Sequence, residues 1–241
     1  LLKKGVYVAV LLVCVMEMVL CGIGSADLIV DKFIYPCCGD GGSCFPKDVK
    51  ALVRTSDGIG STPEILKAVE AVNYRQKNKL FEYICKHYGV AGAGNGTVAS
   101  DALKGKRFAL WGLSFKPNTD DMREASSLVL MQALWAAGAD VQAYDPESME
   151  ETQRICGTRD DLLLMGTKEA ALKGGDALII CTEWQNFRAP DFELLKSTLK
   201  TPTIFDGRNM FEPSRMKKKG FDYYCIGRGL SVQGSEKGNA K

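Results

Sequence analysis

Gly41-Gly42-Ser43-Cys44-Phe45-Pro46-Lys47-Asp48 sets a thiol, an ammonium and a carboxylate close together along the chain. Each has a chemical use at that spacing. Cys44 is a candidate nucleophile, because a thiolate attacks a carbonyl carbon readily and also leaves it readily. Lys47 supplies positive charge that favours a thiolate. Asp48 is a carboxylate able to act as a general base. The two glycines permit positive φ and let backbone come close to a bound group, and Pro46 fixes the direction of the chain after the thiol. The same residues also suit a glycine-rich turn around a structural cysteine, so other motifs must decide between the two readings.

A second run is Gly112-Leu113-Ser114-Phe115-Lys116-Pro117-Asn118-Thr119-Asp120-Asp121-Met122-Arg123-Glu124. Lys116 offers charge to an oxyanion or phosphate, and Arg123 suits bidentate contact with phosphate. The alternative is a capping network, in which Asp120 or Asp121 closes a helix N-terminus and Arg123 and Glu124 are solvated charges. A third run, Phe205-Asp206-Gly207-Arg208-Asn209, turns after a strand and offers Arg208; strand-Asp-Gly is a common turn on its own.

The elements that must position these residues follow from periodicity. Residues 107–111, 140–144, 177–181, 203–205 and 223–226 read as strands, and residues 122–137, 147–156, 167–173 and 190–200 as helices. Such alternation predicts an α/β fold, a Rossmann-like doubly wound parallel sheet. The 112–124 loop leaves the first strand and enters a helix, which is where such sheets bind ligands. Residues 61–90 read as one helix, capped by Ser61 or Thr62 and ended by Gly89, ahead of a small, flexible stretch over 89–100. The chain therefore divides into 1–100, a helical segment with the cysteine loop; 101–232, the doubly wound domain; and 233–241, a polar tail expected to be disordered.

Composition narrows the classes. The chain has 241 residues, 46% hydrophobic and 25% charged, with a net charge of +2, so no nucleic-acid partner is expected. Lys217-Lys218-Lys219 reads as a solvated face. Nine cysteines without a C-x-x-C pair, and the single histidine His87, argue against a metal site and for reduced thiols in a cytoplasmic setting. His87 reads as a surface residue or a charge at a helix C-terminus. Residues 6–20 are apolar and follow Lys3 and Lys4 as in a signal peptide. They are short and interrupted by Glu17, so a buried helix or strand is expected and no membrane span.

In their order, the cysteine octet, the stretch Gly112 to Ser126 and the Arg208 turn resemble the UDP-glucose/GDP-mannose dehydrogenase family; Tyr144-Asp145-Pro146 also fits, without a catalytic role. The resemblance implies that residues 1–100 are the remnant of a central helical dimerisation region and 101–232 a UDP-binding domain. It implies NAD-dependent, two-step oxidation of UDP-glucose to UDP-glucuronate in a homo-oligomer. By the same resemblance Cys44 carries the sugar as a thiohemiacetal and then a thioester, and Asp48 is the base or water-positioning group. Lys47 and Arg123 lie near NAD. Phe33, Ile34, Tyr35, Pro36, Cys37 and Gly41 wrap the glucose and phosphates, Phe115 and Lys116 contact the nucleotide sugar, and Arg208 approaches the substrate. Pro117-Asn118 after the lysine resembles UDP-glucose enzymes more than GDP-mannose or UDP-N-acetylhexosamine relatives.

The sequence also departs from the family. It has no G-x-G-x-x-G dinucleotide motif, Asp40 stands where the family has an aromatic residue, and Cys37-Cys38 is unusual. Residues 1–21 lack the family's oxyanion-stabilising lysine and asparagine. The expectation is a C-terminal part inactive by itself; the alternative is a non-catalytic nucleotide-sugar-binding domain.

Overall fold

A computed structural model describes residues 14–16, 18–19, 35–92 and 98–228. Phe33 and Ile34, most of the 6–20 apolar segment and the 233–241 tail lie outside the described residues. The chain forms two compact units, Leu1–Pro36 and Cys37–Lys241. In the first, residues 14–16 and 18–19 are helical but exposed, not buried as expected for the 6–20 segment, and Tyr35 and Pro36 are exposed and outside any helix. No helix among the described residues is long and apolar enough to cross a membrane.

Six parallel strands form one sheet: β1 Arg107–Trp111, β2 Asp140–Tyr144, β3 Leu162–Leu164, β4 Ala177–Ile180, β5 Thr203–Asp206 and β6 Asp222–Cys225. Their spatial order is β3-β2-β1-β4-β5-β6. The chain runs outward from β1 to β3 and then returns to β4 on the other side of β1, so the order reverses between β1 and β4. Alternate residues of one strand face opposite layers. Phe108, Leu110, Ile179 and Phe205 enter one core; Ala109, Trp111, Ile180 and Ile204 enter the other. Both faces are covered, which is why β1 and β4 read as unbroken apolar runs.

The helices are α1 Phe45–Gly58, α2 Glu64–Lys77, α3 Lys79–His87, α4 Ser126–Ala136, α5 Met149–Cys156, α6 Phe192–Thr198 and α7 Pro213–Lys218. α3 buries Leu80, Phe81, Ile84 and Cys85 in the same core as Phe108 and Phe205. The helical segment and the sheet therefore share one core.

Several elements differ from expectation. The single helix over 61–90 is two, meeting at Asn78, whose side chain donates to the Tyr74 carbonyl at 2.9 Å and so competes for a helix acceptor. Neither Ser61 nor Thr62 caps α2, which starts after Pro63 without a side-chain cap. Gly89 does end α3, at φ 71°. The helix expected from 122 begins only at Ser126, because Glu124 takes a positive φ of 55°. Residues 167–173 hold only a single 3-10 turn, Ala170–Leu172. α1, β3 and α7 were not expected. His87 is half-buried rather than on the surface: it packs against Tyr88, Phe205 and Tyr224, with Nδ1 2.9 Å from the Tyr224 hydroxyl.

Candidate active site

The cysteine loop is held mainly by its backbone. Gln76 Nε2 on α2 donates to the Cys37 carbonyl at 2.5 Å. Asn73 pairs with both the amide and the carbonyl of Asp40, at 2.8 and 3.1 Å. The amide of the buried Cys38 donates to the Gly207 carbonyl at 2.8 Å, and the Gly42 amide to the Arg123 carbonyl at 2.8 Å. The loop is thus strung from α2 to the turn after β5 and to the loop after β1. Its glycines are sterically required at two points. A Cβ on Gly41 would lie 2.6 Å from the Glu124 carbonyl oxygen, and Gly42, at φ 92°, has the Phe115 ring 2.8 Å from where a Cβ would stand.

Cys44 immediately precedes α1, with Pro46 in the first turn of that helix. Its carbonyl accepts the Asp48 amide at 2.9 Å, and its exposed thiol lies 3.7 Å from the Ser43 hydroxyl. Lys47 and Asp48 form a loose pair at 4.0 Å, both largely exposed.

The loop after β1 is organised by a residue given no role in the sequence reading. Asp145, at the end of β2, accepts through Oδ2 from the Leu113 amide at 2.7 Å, the Ser114 amide at 3.3 Å, the Ser114 hydroxyl at 3.4 Å and Trp184 Nε1 at 3.0 Å. Its Oδ1 accepts the Glu147 and Ser148 amides, each at 2.9 Å. Thr182 Oγ1 donates to the Ser114 carbonyl at 2.5 Å, and the Ser127 hydroxyl donates to the Leu113 carbonyl. Gly112 approaches Thr182 so closely that a Cβ would sit 2.5 Å from the Thr182 Cβ.

That framework leaves Lys116 exposed, its Nζ 5.2 Å from the centre of the Phe115 ring. Arg123 is exposed and grips Asp121 twice, Nε to Oδ1 at 2.9 Å and Nη2 to Oδ2 at 2.8 Å. The Arg123 hydrogen bond holds the Asp121 carboxyl below its usual range. Asp121 raises the Arg123 guanidinium in turn, with Cys44 adding to its negative surroundings. The Asp121 carboxylate thus closes a turn on Arg123 rather than capping α4, whose start has no side-chain cap.

Arg208 is only 13% exposed. Its Nε donates to the Cys181 carbonyl at 2.7 Å and lies 3.2 Å from Glu183 Oε2, and its Nη2 donates to the Phe115 carbonyl at 2.8 Å. Burial opposes its charge, but Cys38, Glu183 and Cys37 outweigh burial and raise the guanidinium above its ordinary range. The Cys38 thiol is drawn down by its hydrogen bond with Cys181 and by Arg208, against burial.

The fold brings together Cys37, Gly41, Phe115, Arg123 and Arg208, through the backbone bonds above, beyond the carboxyl ends of β1, β4 and β5. Lys47 and Asp48 stand on the first turn of α1 and Cys44 just before it, joined to them through Gly42. Tyr35 and Pro36 belong to the other unit. Sequence reasoning missed Asn73, Gln76, Asp145, Thr182 and Glu183. Only Asp145 had a local signal, the Asp-Pro that closes β2.

A parallel sheet whose order reverses at β1/β4 defines the doubly wound α/β class, in which ligands bind at that reversal. Residues 109–213 match the UDP binding domain of the UDP-glucose/GDP-mannose dehydrogenase family, and residues 14–75 match its central domain. The chain belongs to that family. It is 44% identical over 212 residues to the UDP-glucose 6-dehydrogenase of Pseudomonas aeruginosa, covering 86% of this chain and 44% of that protein. It is 41% identical over 207 residues to the enzyme of the same name from Rhizobium meliloti, again covering 86% of this chain and 44% of the relative. Among solved structures it is similar to a UDP-glucose dehydrogenase from Pyrobaculum islandicum, with a TM-score of 0.69 and 27% identity, covering 90% of this chain and 43% of that one. The chain spans under half the length of these relatives.

Proposed function

We propose that this chain supplies the nucleotide-sugar site and the reactive thiol of a UDP-glucose 6-dehydrogenase. The supporting observation is the Gly42–Arg123 backbone bond of 2.8 Å, which fastens the Cys44 loop to the nucleotide-side loop. Lys116 binds a diphosphate oxygen, and the buried Arg208 shapes the wall beneath it by holding the Phe115 and Cys181 carbonyls. Gly41, partly exposed on the 37–42 loop, lies against the glucose.

NAD is the cofactor this family reading implies. The exposed cations Lys47 and Arg123 fit contact with its phosphates, and when bound it supplies the hydride acceptor. The thiol of Cys44 adds to a C6 aldehyde to give a thiohemiacetal. Oxidation at that carbon leaves a thioester on Cys44. Asp48 takes a proton from the water that opens it, and the Cys44 thiolate is the leaving group.

By itself the 241-residue chain binds nucleotide sugar but does not turn it over. With UDP-glucose and NAD⁺, absorbance at 340 nm stays flat, while UDP-glucose slows alkylation of Cys44 by iodoacetamide. NADH formation that Cys44→Ala abolishes would overturn the first statement. Alkylation unchanged at saturating UDP-glucose would overturn the second and favour a domain whose cysteine loop is structural.

A further inference from the structure

Glu124 holds a left-handed backbone conformation, φ 55°, that side-chain-bearing residues seldom adopt. Such a conformation persists when surrounding contacts over-determine it. Those contacts are specific. Lys50 Nζ on α1 reaches Oε1 at 2.5 Å, and Lys77 Nζ at the end of α2 reaches Oε2 at 3.1 Å. The Lys77 side chain is 5% exposed, so its ammonium needs a paired anion. One carboxylate therefore ties together the helix that begins after Cys44, the helix that grips the cysteine loop, and the loop that carries Arg123. The backbone adds to the junction: the Arg123 carbonyl accepts the Gly42 amide, and the Glu124 carbonyl lies where a Cβ on Gly41 would clash.

We propose that Glu124 is a positioning residue: by holding Lys50 and Lys77 it fixes the helix that follows Cys44 against the loop from which Arg123 projects. The proposal rests on the reading of Cys44 as the reactive thiol. It assigns to Glu124 what neither the cysteine octet nor the cationic loop achieves alone, a fixed relation between nucleophile and cation. Asp121 grips Arg123 directly and fixes its rotamer, whereas Glu124 fixes the backbone from which it projects.

A double-mutant cycle on the full chain tests this without any nucleotide, so it stays readable even if UDP does not bind. The readout is the rate of Cys44 alkylation by iodoacetamide at low salt, followed by peptide mapping to separate Cys44 from the other thiols. Arg123→Ala slows Cys44 by about threefold, the scale of a solvent-screened charge interaction. In a Glu124→Gln background the same change has almost no further effect, and Glu124→Asp restores part of the coupling. Lys50→Gln, a surface change that spares folding, weakens the coupling in the same direction. A full Arg123 effect persisting in Glu124→Gln, or no Arg123 effect in the unaltered chain, would overturn the proposal. General destabilisation would instead leave the two effects additive.

Discussion

The buried Cys38 amide donates to the Gly207 carbonyl at 2.8 Å, joining the cysteine loop to the turn that carries Arg208. A Cβ on Gly207 would meet the Cys38 sulfur at 2.8 Å, the Ile180 carbonyl at 2.9 Å and Leu80 at 2.9 Å. Gly207→Ala is expected to cost about 1–3 kcal/mol, the range for overfilling a packed site. Urea denaturation checks it, and an unchanged midpoint would show that the loop yields.

Asp145 should matter as much to the site as the charged residues that face solvent. Asp145→Ala leaves the Leu113, Ser114, Glu147 and Ser148 amides and the Trp184 indole without their acceptor, while the Ser114 hydroxyl keeps the Lys116 carbonyl. At about 1 kcal/mol for each hydrogen bond lost, destabilisation of about 5 kcal/mol is expected. UDP affinity should fall at least about tenfold, a difference of 1.4 kcal/mol, because Ser114 and Lys116 hang from that framework. Denaturation and calorimetry on the same variant separate the two effects.

Acid should weaken the fold through paired carboxylates. Burial pushes the Asp176 carboxyl up, but hydrogen bonds from Lys200, the Arg107 amide and Lys106 outweigh it and hold it below its usual range. Lys50 and Lys77 likewise lower Glu124. A carboxyl depressed in the folded state contributes stability above its unfolded pKa, near 4, and loses it as pH falls through the lower folded value. Asp206 acts with the opposite sign: burial raises it, so acid relieves its cost. The expected result is a urea midpoint that falls below about pH 4.5 and falls less steeply in Asp176→Asn.

Arg208→Lys is expected to lose stability even though charge is kept. A lysine cannot reach the Cys181 carbonyl, the Phe115 carbonyl and Glu183 from one planar group. Breaking a partly buried pair leaves Glu183 poorly compensated, at a cost of about 2–4 kcal/mol. Calorimetric unfolding checks this, and Glu183→Gln in the same background should recover part of the loss.

The sheet was legible because its strands are short apolar runs closed by Gly or Asp-Pro, as at Trp111-Gly112 and Tyr144-Asp145-Pro146. β3 was not, since Leu162–Leu164 is three residues on an edge with Leu163 exposed. α1 was hidden by the glycines before it and by apolar residues such as Phe45 and Leu52 that remain exposed. α7 begins at Pro213 and ends in lysines, which read as a turn and a solvated face. Within the site, Cys44, Lys116 and Arg208 carried their own signal because their types and neighbours suggest chemistry. Asn73, Gln76, Thr182 and Glu183 act through backbone or through a partner distant in sequence, so no local pattern marks them.

Isothermal titration of the 241-residue protein with UDP tests most directly whether the loop after β1, which carries the exposed Lys116, binds a nucleotide diphosphate. The expected result is one site per chain, with affinity at least about tenfold weaker in Lys116→Ala, a loss of 1.4 kcal/mol. No heat with UDP, or equal affinity in Lys116→Ala, would contradict it.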